Sequence, residues 1–98
     1  MTDADILQLL QTDLGYIQID EAREKQLQQL IGAAVGFIRR EGLTLSAPYT
    51  VEQAQLIEMY AAYLFRKRDT ADAMPRMLRW ALNNAILSQA GGGGNATE

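Results

Sequence analysis

The chain has 98 residues, 48% of them apolar, and a net charge of −3; that length fits one domain with a modest core, and the acidic balance excludes a strongly basic nucleic-acid binder. It contains neither cysteine nor histidine, which excludes disulfides and thiolate metal sites and removes the commonest general base and metal ligand. No run reaches the ~18 apolar residues of a membrane span, and acids stand near the N-terminus where a secretory signal carries bases, so the chain reads as cytoplasmic, whole and without membrane contact.

The first helix is predicted over residues 3–14. Thr2 suits its N-cap, Asp3 and Asp5 suit the positive end of the dipole, and Ile6, Leu9, Leu10 and Leu14 form its apolar stripe. Gly15 ends it. The second helix is predicted over 20–41, capped by Asp20. Leu27, Leu30, Ile31, Ala34, Val35 and Ile38 recur at helical spacing, which marks one buried face. Arg39 and Arg40 complement its negative end, and Gly42 closes it.

Residues 42–49 read as a loop. Thr50-Val51-Glu52-Gln53 is a capping box that opens a third helix running to Lys67 or Arg68. Residues 69–73 form a short connector. Pro75 suits the first turn of a fourth helix, whose main apolar face is Leu78, Ala81, Leu82 and Ala85. The predicted fold is all-α: a small bundle of about four helices over residues 1–90. Residues 91–98, four glycines followed by Asn-Ala-Thr-Glu, read as a disordered tail.

Little in this chain carries chemistry. The carboxylates fall mostly at helix starts, where capping explains them, and no pair stands out as an acid/base couple. No glycine-rich phosphate loop follows a strand. Asn95-Ala96-Thr97 matches a glycosylation acceptor, but no secretory signal accompanies it. The reading is a non-enzymatic protein with no metal or other cofactor.

Four features exceed the needs of a lone bundle. Met59 to Phe65 is an uncharged run of nearly two turns, so that part of the helix is either central to its domain or covered by a partner. Opposite the second helix's apolar stripe lie Gln29, Gly32, Ala33, Gly36 and Arg40. Glycine at i and i+4 is either a tolerated imperfection or a place where another backbone comes close. Trp80 projects with Asn84 and Leu87 away from the fourth helix's main face, either packing over the connector or anchoring an interface. Finally, Arg66, Lys67, Arg68, Arg76 and Arg79 gather bases in the second half of the chain. The first 24 residues carry Asp3, Asp5, Asp13, Asp20, Glu21 and Glu24 against Arg23 alone. Arg76 and Arg79 stand at a helix start, where the dipole disfavours them, so an acidic neighbour or a phosphate is expected there. Tyr60 and Tyr63 complete the candidate assembly interface.

Two segments, Met59-Tyr60-Ala61-Ala62-Tyr63-Leu64-Phe65-Arg66-Lys67-Arg68 and Met74-Pro75-Arg76-Met77-Leu78-Arg79-Trp80-Ala81-Leu82-Asn83-Asn84, are specific in content and order. Gln26 to Ile31, Ala33-Ala34 and Ile38 to Gly42 support them. On these residues the chain resembles the head–tail connector proteins of tailed bacteriophages, over most of residues 6–88. The glycine-rich tail matches nothing in that pattern. The resemblance implies a helical subunit of a homo-oligomeric ring that docks on the portal protein and extends the DNA channel towards the tail. It places the protein in the virion neck and, during assembly, in the host cytoplasm. The implied partners are the portal, neighbouring connector subunits and other head-completion or tail proteins. DNA contact in such a channel is at most non-specific, because every sequence must pass. The alternative is a small helical DNA-binding regulator or bacterial adaptor, with residues 66–84 loosely allowing a helix–turn–helix.

The tail is expected to be dispensable for folding. Truncation after Gln89 should leave the melting temperature nearly unchanged, and a drop of more than a few degrees would show that the tail docks on the domain.

Overall fold

The computed structural model describes residues 1–67 and 73–90, and among them every regular element is a helix: α1 (Asp3–Asp13), α2 (Glu21–Glu41), α3 (Val51–Lys67) and α4 (Arg76–Ala90). The all-α bundle expected from the periodicity is therefore what the chain forms. The expectations for Arg68, for most of the 69–73 connector and for the 91–98 tail lie outside the described residues.

Local chemistry sets the helix ends. Thr2 and Asp5 cap α1 reciprocally: the Thr2 N–H donates to the Asp5 carboxylate at 2.9 Å, and the Asp5 N–H donates to the Thr2 hydroxyl at 3.4 Å. Thr50 and Gln53 repeat the arrangement at α3, both bonds being 3.1 Å. Asp20 caps α2 by accepting from the Arg23 N–H at 2.7 Å.

Both long turns leave their helix through a glycine in the left-handed region, Gly15 at φ +85° and Gly42 at φ +115°. In each case two consecutive N–H groups reach back to the last turn. Gly15 and Tyr16 donate to Thr12 and Gln11, each at 3.0 Å, and Gly42 and Leu43 donate to Arg39 and Ile38 at 3.0 and 3.4 Å. The first helix ends at Asp13, one residue earlier than the hydrophobic stripe suggests. Pro75 lies just before α4 rather than inside its first turn, and its carbonyl accepts from the Arg79 N–H at 3.1 Å.

The core runs through all four helices. Ile6 and Leu10 of α1, Leu27, Ile31, Ala34, Val35 and Ile38 of α2, Ala54, Leu56, Ile57, Tyr60, Ala61 and Ala62 of α3, and Leu78 and Leu82 of α4 are buried together. α3 packs against each of the other three helices, whereas α4 rests chiefly on α3. The uncharged run on α3 is thus covered from within. Tyr60, Ala61 and Ala62 are buried, and Met59, Tyr63, Leu64 and Phe65 are half-buried against the core.

The 42–49 segment does more than connect. Leu43, Leu45 and Tyr49 are core residues, which no periodic pattern announces in a stretch without regular structure. Polar contacts hold the segment down on three sides. The Arg39 guanidinium donates to the Leu45 carbonyl at 2.8 Å. Met1 and Tyr49 exchange backbone hydrogen bonds, the Tyr49 N–H reaching the Met1 carbonyl at 2.7 Å. The Gln89 amide of α4 accepts from the Thr44 N–H at 2.8 Å and donates to the Thr44 carbonyl at 3.0 Å. The Ala47–Pro48 bond within this segment is cis.

Thr50 carries one half of the α3 cap, and α3 is the helix on which the others pack. Thr50→Ala is expected to lower the unfolding free energy by about 1 kcal/mol, read from the urea midpoint at unchanged slope. A neutral result would mean that the reciprocal cap contributes nothing to α3.

Candidate assembly surface

Three of the four features singled out in the sequence remain on the outside of the bundle. The outer face of α4 is the most apolar of them: Met77, Trp80 and Leu87 are 69%, 67% and 68% exposed. Among the described residues, Trp80 therefore has little cover. Met77, three residues before Trp80, extends the row that Trp80 and Leu87 define; its i−3 spacing was the available signal. Arg76, Asn83 and Asn84 lie exposed on the same side.

On α2 the exposed face carries Gln29, Gly32, Ala33 and Arg40, with Gly36 half-buried beside them. A methyl group placed on either glycine would meet nothing within 4 Å. No other described part of the chain therefore uses these glycines for close approach. Phe37, 39% exposed, borders the face, and the Arg40 guanidinium lies 5.6 Å from its ring centroid.

Tyr60 is a correction to the expected interface. It is only 7% exposed, and its ring stacks on Phe37 at 5.9 Å, with an interplanar angle of 12°. Burial raises the Tyr60 hydroxyl above its ordinary pKa. Tyr60 thus joins α3 to α2 and is not available to a partner. Tyr63 is half-buried, edge-on to Tyr60 at 6.0 Å, with the Lys67 ammonium 5.6 Å from its ring centroid.

Two of the basic residues find acidic partners within the chain. Arg79 donates to the Glu41 carboxylate at 3.0 Å, and that hydrogen bond raises the guanidinium above its ordinary value. The acidic neighbour expected for a base at this helix start is therefore supplied by the end of α2. Arg66 stands 3.7 Å from Asp13, at the end of α1. The acidic first part of the sequence and the basic later part thus meet within one molecule, because α1 and α3 bring their C-terminal ends together. These pairs are half-exposed, and surface pairs of this kind contribute roughly 0–1 kcal/mol.

The two segments that carry the connector resemblance come together in space. Met59, Tyr63, Arg66 and Lys67 face Pro75, Met77 and Leu78 across a shallow hollow between the end of α3 and the start of α4.

A feature with no sequence signal lies between α1 and α3. Glu58 and Asp13, far apart in sequence, line the same hollow between α1 and α3. Burial, and then the Asp13 carboxylate, push the Glu58 carboxyl up to about 8, against the opposing pull of Arg66. The pair lies at the interface of α1 and α3.

No helix among the described residues is long and apolar enough to cross a membrane. No group of three or more acidic residues among them is placed to hold a metal ion. Comparison with protein-family models, with curated proteins and with solved structures gives no match to this chain.

The open space at Gly32 and Gly36 has a measurable consequence. Gly32→Ala and Gly36→Ala are each expected to stabilise the isolated subunit by about 0.5–1 kcal/mol, since the methyl group clashes with nothing and alanine restricts the unfolded chain. Thermal melts that fall instead of rising would show that the glycines serve the monomer.

Proposed function

We propose that this protein is a non-enzymatic structural subunit of a phage head–tail connector ring, which docks on the portal and extends the DNA channel towards the tail. The observation that carries this reading is the outer face of α4. A row of Met77, Trp80 and Leu87, each about two-thirds exposed, costs solubility and gives nothing to the monomer's core. Exposed apolar rows of this kind mark protein–protein contacts, and Trp is the residue type most enriched at interface hot spots.

The resemblance supports the same conclusion from a different side. Its two most specific segments line one hollow, and α4 carries both the second segment and the apolar row. A ring needs a heterologous contact, in which one patch on each copy meets a different patch on the next. The α4 row and the open Gly32–Gly36 face of α2 are two such unlike patches. Because Arg66 and Arg79 have acidic partners within the chain, apolar contact rather than charge is the main source of affinity in this reading. Lys67 and Arg76 add charge at the rim, where it acts on association rate more than on affinity.

Negative-stain electron microscopy of the protein alone and with its portal tests the proposal directly, with rings or portal-bound rings as the expected particles. Trp80→Ala is expected to weaken ring formation by about 2 kcal/mol or more while the monomer stays folded, because the side chain is a contact and not a core residue. Normal assembly of a folded Trp80→Ala variant would remove the α4 row from the interface. A protein that stays monomeric beside its portal would overturn the connector reading itself.

A further inference from the structure

α1 and α3 are joined near their C-terminal ends by three charged or chargeable side chains. Asp13 ends α1, Glu58 lies midway along α3, and Arg66 lies two turns further on. Leu9 and Thr12 of α1 and Gln55 and Met59 of α3 line a hollow with Asp13 and Glu58.

The hydrogen-bond inventory of this place does not close with both acids ionised. A carboxylate only accepts hydrogen bonds, so two of them facing each other need a proton between them. Glu58 Oε2 is shielded from solvent, and no donor among the described residues reaches it. The charged groups that act on Glu58 are Asp13 from the facing helix and Arg66 from its own. Arg66 stands 3.7 Å from Asp13, and Glu58, the more buried of the two acids, is the one whose carboxyl is pushed up.

We propose that Asp13 and Glu58 form a proton-held clasp between α1 and α3, and that loss of the shared proton releases the last turn of α1. This conclusion is independent of the ring reading. The turn in question is held at its end by the Leu14, Gly15 and Tyr16 N–H groups, which donate to Leu10, Thr12 and Gln11 at 2.9–3.0 Å. Tyr16 then packs edge-on against Phe65 of α3 at 6.3 Å, and the Arg23 guanidinium covers both rings, at 5.1 and 5.7 Å. Opening the clasp therefore loosens the region where α1, α2 and α3 meet.

The sign follows from which state binds the proton more tightly. In the open turn Glu58 returns towards its ordinary value of 4.5, whereas in the closed turn it holds its proton up to about 8. The clasp is fully formed below the lower value, weakens as pH rises between the two, and weakens no further above the higher one. Within that window each pH unit favours opening by up to about tenfold.

Two measurements on the full chain test the clasp. The first follows the Glu58 side-chain carboxyl carbon by NMR across the pH range, with a midpoint near 8 expected. The second follows amide hydrogen exchange at Leu14, Gly15 and Tyr16 at pH 5.5 and 7.5, corrected for the intrinsic rate. Protection should fall at least about tenfold between those pH values, while the Ala54 N–H at the start of α3 keeps its protection. In Glu58→Gln, whose neutral amide can donate to Asp13 at any pH, the difference should vanish. A wild-type Glu58 midpoint below about 6, or an equal fall in protection in Glu58→Gln, would overturn the clasp. If Glu58→Gln does not fold, the wild-type titration alone decides.

Discussion

The middle of the third helix cannot face water, and the rest of the bundle is arranged around that constraint. From Met59 to Phe65 no residue is charged, so every direction around the helix has to be covered. α2 lies along one side and contributes the longest buried stripe. α1 lies along another, and α4 takes a third. Burying one large apolar side chain contributes about 1.5–3 kcal/mol, and α3 alone places Leu56, Ile57 and most of Tyr60 in the interior. The capping box at Thr50 and Gln53 fixes where this helix starts and hence which residues each neighbour meets. The neighbours are not equivalent: α1 and α2 also pack on each other, whereas α4 rests mainly on α3. That leaves α4 with an inner face made by Leu78 and Leu82 and an outer face that no described residue covers.

The packing of the helices also rearranges the charges. Read along the chain, acids precede bases, which suggests a molecule with two oppositely charged ends. Folding brings Asp13 to Arg66 and Glu41 to Arg79, and much of that separation is cancelled internally. What remains outside is an apolar row on α4 and a small-residue face on α2. An assembly that uses them depends on shape and desolvation, with the remaining bases at its margin.

The fold was legible where local rules act. Thr2, Asp20 and Thr50 announce helix starts because their side chains satisfy backbone donors within the next three residues. Gly15 and Gly42 announce helix ends because the closing turns need positive φ. The apolar stripe of α2 is buried as its spacing indicates. The surface was legible in part: Trp80 and Leu87 are outside as projected, and Met77 belongs with them. What sequence did not reveal depends on contacts between distant residues. Leu43, Leu45 and Tyr49 have no period to betray their burial. Tyr60 looks like an interface aromatic until Phe37 covers it. Asp13 and Glu58 have no spacing that joins them until α1 and α3 pack together.

The bond between Gln89 and Thr44 links these observations to the tolerance of the sequence for change. The Gln89 amide engages the main chain of residue 44 and not its hydroxyl, accepting from the N–H and donating to the carbonyl, as a paired strand would. Any residue with a backbone N–H can stand at position 44 and keep both contacts; proline alone forfeits one. At position 89 the requirement is strict, because only a primary amide of that length offers a donor and an acceptor side by side at that reach. A drifting lineage could therefore rewrite the loop residue many times while its helical partner stayed glutamine, and the seat of α4 would not move.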